Sequence, residues 1–214
     1  MKLLLFGAGG HAKVVLDVAR AANMEICGVV DDRWTAEFWR GVPLLGKYQD
    51  LTTICSAHVD AAWVVAIGNE AVRRRVVREL ERLGARFATI IHPSACLGSG
   101  VFVGAGSVVM AGSILQADVH VGQHTIINTA STVDHDSYIG DYVHISPGVH
   151  LAGNVHVEEA VHIGIGACSI PGVNIGRYTT IGAGTTIIKD IPPYVVAVGC
   201  PAKIIQQKER HDAE

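Results

Sequence analysis

From Leu97 onward a large aliphatic residue returns at every sixth position: Leu97, Val103, Val109, Leu115, Val121, Ile127, Val133, Ile139, Ile145, Leu151, Val157, Ile163, Ser169, Ile175, Ile181 and Ile187, with Ser169 the one exception. Four residues after each stands a compact or β-branched side chain, such as Ser107, Thr125, Ser131, Val143 or Thr179, and glycine, asparagine or aspartate often falls between. A period of six with a large and a small position predicts a β-helix: three hexapeptides make one triangular coil, and the aliphatic residues stack inside it. Short turns of that kind favour glycine, of which the chain has 24. The repeat covers residues 97 to about 192, just over five coils.

The first ninety residues follow another pattern. "KLLLFGAGGHAKVVLDVARAA" predicts a buried strand, a glycine turn and an amphipathic helix, and "EICGVVDD" a second strand ending in acids. "AAWVVAIGN" predicts a later strand that brings Gly68 and Asn69 to the same crevice, with Trp63 as packing. Residues 70 to 84 predict a helix with Arg73, Arg74, Arg75 and Arg78 on its exposed side, and Trp34 and Trp39 fall in a loop or short helix. The fold class is therefore α/β plus all-β. A small Rossmann-like parallel α/β domain (1–93) precedes the β-helix (94–198) and a C-terminal turn and tail (199–214). Gly7-x-Gly9-x-x-Ala12 followed by Asp31 has the form of the dinucleotide-binding fingerprint, with phosphate expected at the helix N-terminus. The domain is too short for two mononucleotide halves, so it suits one nucleotide rather than NAD. Lys13 stands either on phosphate or on the solvated helix face, and Asp32 either at the nucleotide or in a solvated turn.

Composition narrows the setting. With 214 residues, 49% hydrophobic, 6% aromatic and a net charge of −3, the chain suits a soluble protein of one or two domains and points away from nucleic acid, the Arg73-Arg74-Arg75 run included. Five widely spaced cysteines without a CxxC pair, and no secretory signal before Leu3-Leu4-Leu5-Phe6, make a reducing cytoplasm the expected location. No apolar run approaches the ~20 residues of a membrane helix.

Candidate chemistry lies on the outside of the predicted prism. His120, His144, His150, His156 and His162 share the sixth position of their repeats. A coil of eighteen residues stacks His144 with His162 on one face, and His120, Tyr138 and His156 on another. Histidines on successive faces diverge, which excludes a zinc site. His135 differs, standing third in its repeat between Asp134 and Asp136. A carboxylate beside an imidazole fixes its tautomer and stabilises its cation, as a general base at neutral pH requires. Either acid qualifies, and a turn at this point would let a sequence neighbour reach the ring.

The chain resembles bacterial sugar N- and O-acetyltransferases related to sialic-acid O-acetyltransferase, the left-handed β-helix hexapeptide acyltransferases among them. The resemblance runs through Gly7-Ala-Gly-Gly-His11-Ala-Lys13, Ala66-Ile-Gly-Asn69, Ile91-His-Pro-Ser94, Asn128-Thr-Ala-Ser-Thr-Val-Asp-His135-Asp136, Leu151-Ala-Gly-Asn154 and Val198-Gly-Cys-Pro-Ala-Lys203. It implies a left-handed coil, His135 as general base, Asp136 as its orienting acid and Asn128 near the acceptor amine. It further implies His144 at the thioester region of acetyl-CoA, the Gly153 N–H facing the thioester oxygen, and Lys203 as a phosphate contact. Gly7, Gly9, Gly10, His11, Asp31, Asp32, Gly68 and Asn69 would hold the nucleotide. A family cysteine often follows the acid; Ser137 stands there instead and argues against an acyl-cysteine. The implied activity is acetyl-CoA-dependent N-acetylation of a nucleotide-linked 4-amino-4,6-dideoxyhexose for O-antigen, capsule or glycoprotein glycan synthesis, without metal. The implied assembly is a homotrimer whose sites combine His135 of one chain with groups such as His144 and Gly153 of another. Sialic-acid-type O-acetylation and a non-catalytic nucleotide-binding scaffold are the alternatives. The base of the nucleotide stays open, and the lack of a guanine-specific carboxylate beyond Asp31 and Asp32 favours UDP or dTDP.

Overall fold

The computed structural model describes residues 1–209; of the tail expected over 199–214, residues from 210 on lie outside the described residues. The N-terminal unit runs β1 (Lys2–Phe6), α1 (Gly10–Ala21), β2 (Glu25–Val30), β3 (Phe38–Trp39), β4 (Val42–Gly46), α2 (Leu51–Ala57), β5 (Ala62–Val65), α3 (Glu70–Arg82) and β6 (Arg86–Phe87). These strands form one sheet in the order β3-β4-β2-β1-β5-β6, parallel except for the β3–β4 pair. Because β1 has β2 on one side and β5 on the other, the loops after β1 and β5 diverge and open a crevice at their carboxyl ends. Trp39, expected in a loop or short helix, is a buried residue of β3 that packs with Val42 against α1.

Two-residue strands then stack into a left-handed β-helix whose parallel partners lie eighteen residues apart, as in Val109–Ile127–Ile145–Ile163–Ile181. The first face holds strands from Ile90–Ile91 to Val195–Val198, the second from Cys96–Leu97 to Thr186–Ile187, and the third from Phe102–Val103 to Asn174–Ile175. Inside, the aliphatic column from Val109 to Ile187 is fully or almost fully buried. Hydroxyls in the compact column are buried too, and several donate to turn carbonyls of the next coil: Ser107 to Gly122 (2.7 Å), Thr125 to Gly140 (2.8 Å) and Ser113 to Asn128 (2.9 Å). Serine and threonine at these positions therefore satisfy the turn backbone as well as fitting the space. The turns are less dependent on glycine than expected. The left-handed position of each hexapeptide is occupied not only by glycine but by His124, Asp136, Tyr142 and Tyr178, all with φ between 53 and 58°.

The outward column of the first face explains how the two units join. Its early members, Ile90, Val108 and Ile126, are aliphatic and buried in one cluster with Ala12, Val15, Leu16 and Ala19 of α1. Higher up the same column the residues become His144, His162 and Thr180. The column is apolar where the α/β unit covers it and polar where the crevice opens over it.

Candidate active site

His135 sits in the turn between the second and third faces, where Asp136 has φ 58°. That left-handed residue swings its side chain back beside its neighbour, and Asp136 Oδ2 lies 2.7 Å from His135 Nδ1. An ionised carboxylate only accepts, so Nδ1 carries the proton and Nε2 keeps a bare lone pair. Asp134 takes the other task, its Oδ1 accepting the His135 backbone N–H at 2.8 Å. The ring is 60% exposed. The hydrogen bond that His135 donates to Asp136, with the charges of Asp134 and Asp136 behind it, raises the His135 pKa above its ordinary 6.5.

That shift predicts a pH profile. The base acts when neutral, so transfer falls on the acid side at a pH above 6.5. Asp136→Asn removes the main cause of the shift, so its acid limb moves to lower pH while the rate above the limb declines. A kcat/KM profile of wild type and variant checks this, and an unmoved limb would contradict it.

One coil above, Gly153 lies directly against this ring: a Cβ there would sit 2.7 Å from His135 Cε1 and Nε2. The Gly153 N–H has no acceptor among the described residues. Gly153 thus adjoins His135 of its own chain, which corrects the expectation that a neighbouring chain brings it to the base. Further along the same corner Ile170 and Ile188 are exposed, an apolar stripe suited to the arm of a thioester. Ser137 is buried, donates to the Ala152 carbonyl and accepts the Val155 N–H, so it offers no nucleophile. Lys203, exposed, opens the antiparallel strand Lys203–Gln207 that closes the prism.

A second cluster faces the crevice. Asn128 Nδ2 lies 3.2 Å from His144 Nε2, and the His144 ring lies against Gly68, where a Cβ would come within 3.9 Å of Cε1. His162 stacks on His144 at 4.8 Å, and His11 of α1 lies 6.2 Å from it. His120, Tyr138 and His156 stack on the third face, as the coil length predicts. Sequence reasoning missed His124, which is buried edge-on against Phe87 and stacked on Tyr142. Burial, reinforced by the Arg73 charge, pushes His11 and His124 down to about 4. Burial, then His162 and then Arg73, push His144 to about 3. Folded-state values below the ordinary 6.5 mean that the unfolded chain takes up protons the folded chain does not, so stability declines as pH falls from about 6.5 towards 4. Calorimetry should show the melting temperature dropping across that window; a flat response would contradict neutral burial of these rings.

The crevice itself has the features of an anion site. Gly9 caps α1 without a side-chain bond, no acid stands in the first turn, and a Cβ on Gly9 or Gly10 would meet nothing within 4 Å. Open N–H groups at a helix start attract phosphate. Gly7, at φ 114°, brings the chain so close to the Ala66 carbonyl that a Cβ would touch it. His11 Nε2 is buried with no partner, a polar atom left for a ligand. Two expected nucleotide contacts prove to be committed to the backbone. Asp31 accepts from the N–H groups of Ala8, Arg33 and Trp34 and so shapes the glycine loop, and Asn69 caps α3 by accepting from Val72. Asp32 is exposed and accepts the Tyr48 N–H. Arg73, expected on the exposed side of α3, is 1% exposed, and Arg74 is half-buried over the Tyr142 ring. Among the described residues no three His, Cys, Asp or Glu side chains converge as metal ligands, and no helix is long and apolar enough to cross a membrane.

The acetyltransferase domain of PglB from Neisseria gonorrhoeae FA1090 superposes on the chain with a TM-score of 0.90 at 40% identity, over 95% of this chain and 99% of that one. The chain belongs to the nucleotide-sugar N-acetyltransferase family of left-handed β-helix, hexapeptide-repeat proteins. Within that family, PerB from Caulobacter crescentus, solved with CoA and GDP-perosamine, matches at 38% identity and a TM-score of 0.90 over 96% and 98% of the two chains. Residues 2–80 match the PglD N-terminal domain. A UDP-N-acetylbacillosamine N-acetyltransferase from Bacillus subtilis (strain 168) is 38% identical over 113 residues, half of each chain. The chain spans half the length or less of the first curated relatives it matches, 50% of that enzyme and 23% of a mimivirus protein.

Proposed function

We propose that the chain transfers the acetyl group of acetyl-CoA to the 4-amino group of a nucleotide-linked 4-amino-4,6-dideoxyhexose, in the cytoplasm and for a surface polysaccharide such as O-antigen. The observation that carries this reading is the His135 imidazole, tied to Asp136 through Nδ1 and bare and exposed at Nε2, beside the unclaimed Gly153 N–H. The α/β unit (1–93) holds the nucleotide, its phosphates at the α1 N-terminus beside Gly9, Gly10 and His11. Gly7 and Gly68 line the crevice walls, and Asp31, Asp32 and Asn69 set its loops. The β-helix (94–198) holds the thioester, its arm along Ile170 and Ile188 and its phosphates towards Lys203.

As the amine attacks the thioester carbonyl, His135 Nε2 removes its proton. The C–N bond forms, the carbonyl oxygen gains negative charge facing the Gly153 N–H, and the C–S bond then breaks to release the CoA thiolate, which takes up a proton. Asn128 stands near the acceptor amine, and His144 beside it at the thioester region. Within one chain His135 stands at the corner between the second and third faces and His144 on the first face, so a site using both needs two chains. A homotrimer, in which each chain offers its His135 corner to the crevice of the next, satisfies that requirement.

The test is CoA-thiol release from acetyl-CoA against UDP-, dTDP- and GDP-linked 4-amino sugars, with NMR locating the acetyl group. Release with at least one donor and an N4-acetyl product is expected. Tight nucleotide binding without release would establish a scaffold instead, and acetylation confined to hydroxyls of sialic acids would establish the O-acetyl alternative.

A further inference from the structure

Arg73 is fully enclosed, and none of its hydrogen bonds goes to a carboxylate. Its Nη1 donates to the carbonyls of Ile67 (2.9 Å) and Gly68 (3.0 Å), at the rim of the crevice after β5. Its Nε donates to the His124 carbonyl (3.0 Å) and its Nη2 to the Tyr142 carbonyl (2.7 Å), in successive coils at the corner between the third and first faces. A buried cation without an ionic partner is unfavourable, so helix stability alone gives no reason for it. What it offers is a rigid planar fork that reaches four carbonyls from two units at once, a geometry a lysine ammonium lacks. The same Gly68 lies against the His144 ring, where a Cβ would come within 3.9 Å of Cε1, and His144 in turn contacts Asn128.

We infer that Arg73 is a positioning residue for acetyl transfer: by gripping the Ile67–Gly68 rim and two successive coils at one prism corner together, it fixes the nucleotide crevice against the coil that carries Asn128 and His144. The inference rests on the proposed reading of that crevice as the nucleotide-sugar site. The charge has a second effect. His144 faces His162 from the next coil, Arg73 from α3 and His11 from α1, and burial and these neighbours keep it neutral. Burial does most to keep the ring in the form that can accept from Asn128, and the cation at residue 73 adds to it.

Two variants separate geometry from charge. Arg73→Lys keeps the charge and loses the fork; Arg73→Met loses both. In either, kcat/KM for the nucleotide sugar should fall by about 10²-fold, the size expected of a misplacement near 1 Å, while KM for acetyl-CoA stays close to wild type. In 15N-histidine NMR, His144 should titrate higher in Arg73→Met than in wild type and unchanged in Arg73→Lys. Wild-type kcat/KM in Arg73→Lys would overturn the inference. So would equal losses for both substrates with a lowered melting temperature, the signature of plain destabilisation. Should one variant fail to fold, the kinetics of the other decide. A wild-type protein that binds none of the UDP-, dTDP- or GDP-linked amino sugars would overturn the nucleotide-site reading itself, whereas a binding wild type with unaffected variants overturns Arg73 alone.

Discussion

His135→Ala lowers the rate of acetyl transfer by about 10²–10⁴, the range of a lost general base, and leaves the fold intact. The ring is mostly in solvent and its side chain bonds only to Asp136, itself exposed, so its removal strands no buried polar group. The prism is held instead by its interior columns and ladder hydrogen bonds, none of which uses an imidazole from this turn. Thiol release and a melting curve on the same preparation test both halves. A variant as fast as wild type would remove the base from the account, and a variant that unfolds would show the turn to be structural.

Gly153→Ala is the second large effect, and it needs no change in chemistry. A methyl group 2.7 Å from two atoms of the His135 ring is closer than non-bonded carbon contacts allow, so the imidazole must swing away or the coils must part. The ring is the easier to move because it is exposed and held by one hydrogen bond. Rate should therefore fall by on the order of 10²-fold, as for a catalytic group misplaced by about 1 Å, with the melting temperature nearly unchanged. Gly153 has no left-handed φ, so backbone strain does not compete as an explanation. Unaltered turnover would mean that the ring works from another position.

The six-residue period made the prism legible from sequence, because each inward side chain reports directly on the stacking. The stacked histidines follow from the same register, whereas the turn that brings Asp136 back to the His135 ring is seen in the backbone, at φ 58°. What escaped was mostly between units. Three consecutive arginines suggest a solvent face, yet Arg73 stands three, four and seven residues before Val76, Val77 and Leu80, the buried stripe of α3. Helical spacing carried the signal, and charge overrode it. Likewise Ile90, Val108 and Ile126 occupy an outward column where aliphatic residues mark a covered face. Asp31 and Asn69 escaped for another reason. A carboxylate or amide that closes a loop on its own backbone has the same sequence signature as one that meets a ligand, and only the hydrogen-bond partners separate the two.

The claim at the centre of this account is that His135 of one chain serves the crevice of another, and mixing defective protomers tests it directly. One variant is His135→Ala. The other is Gly10→Asp, which sets a carboxylate at the α1 N-terminus where phosphate is placed and where a Cβ meets no obstacle. Each alone should be inactive. Co-assembled in equal amounts, they should recover roughly a quarter of wild-type turnover, the share of sites that pair an intact base with an intact crevice in random closed trimers. A co-assembled mixture that stays inactive would contradict the shared site.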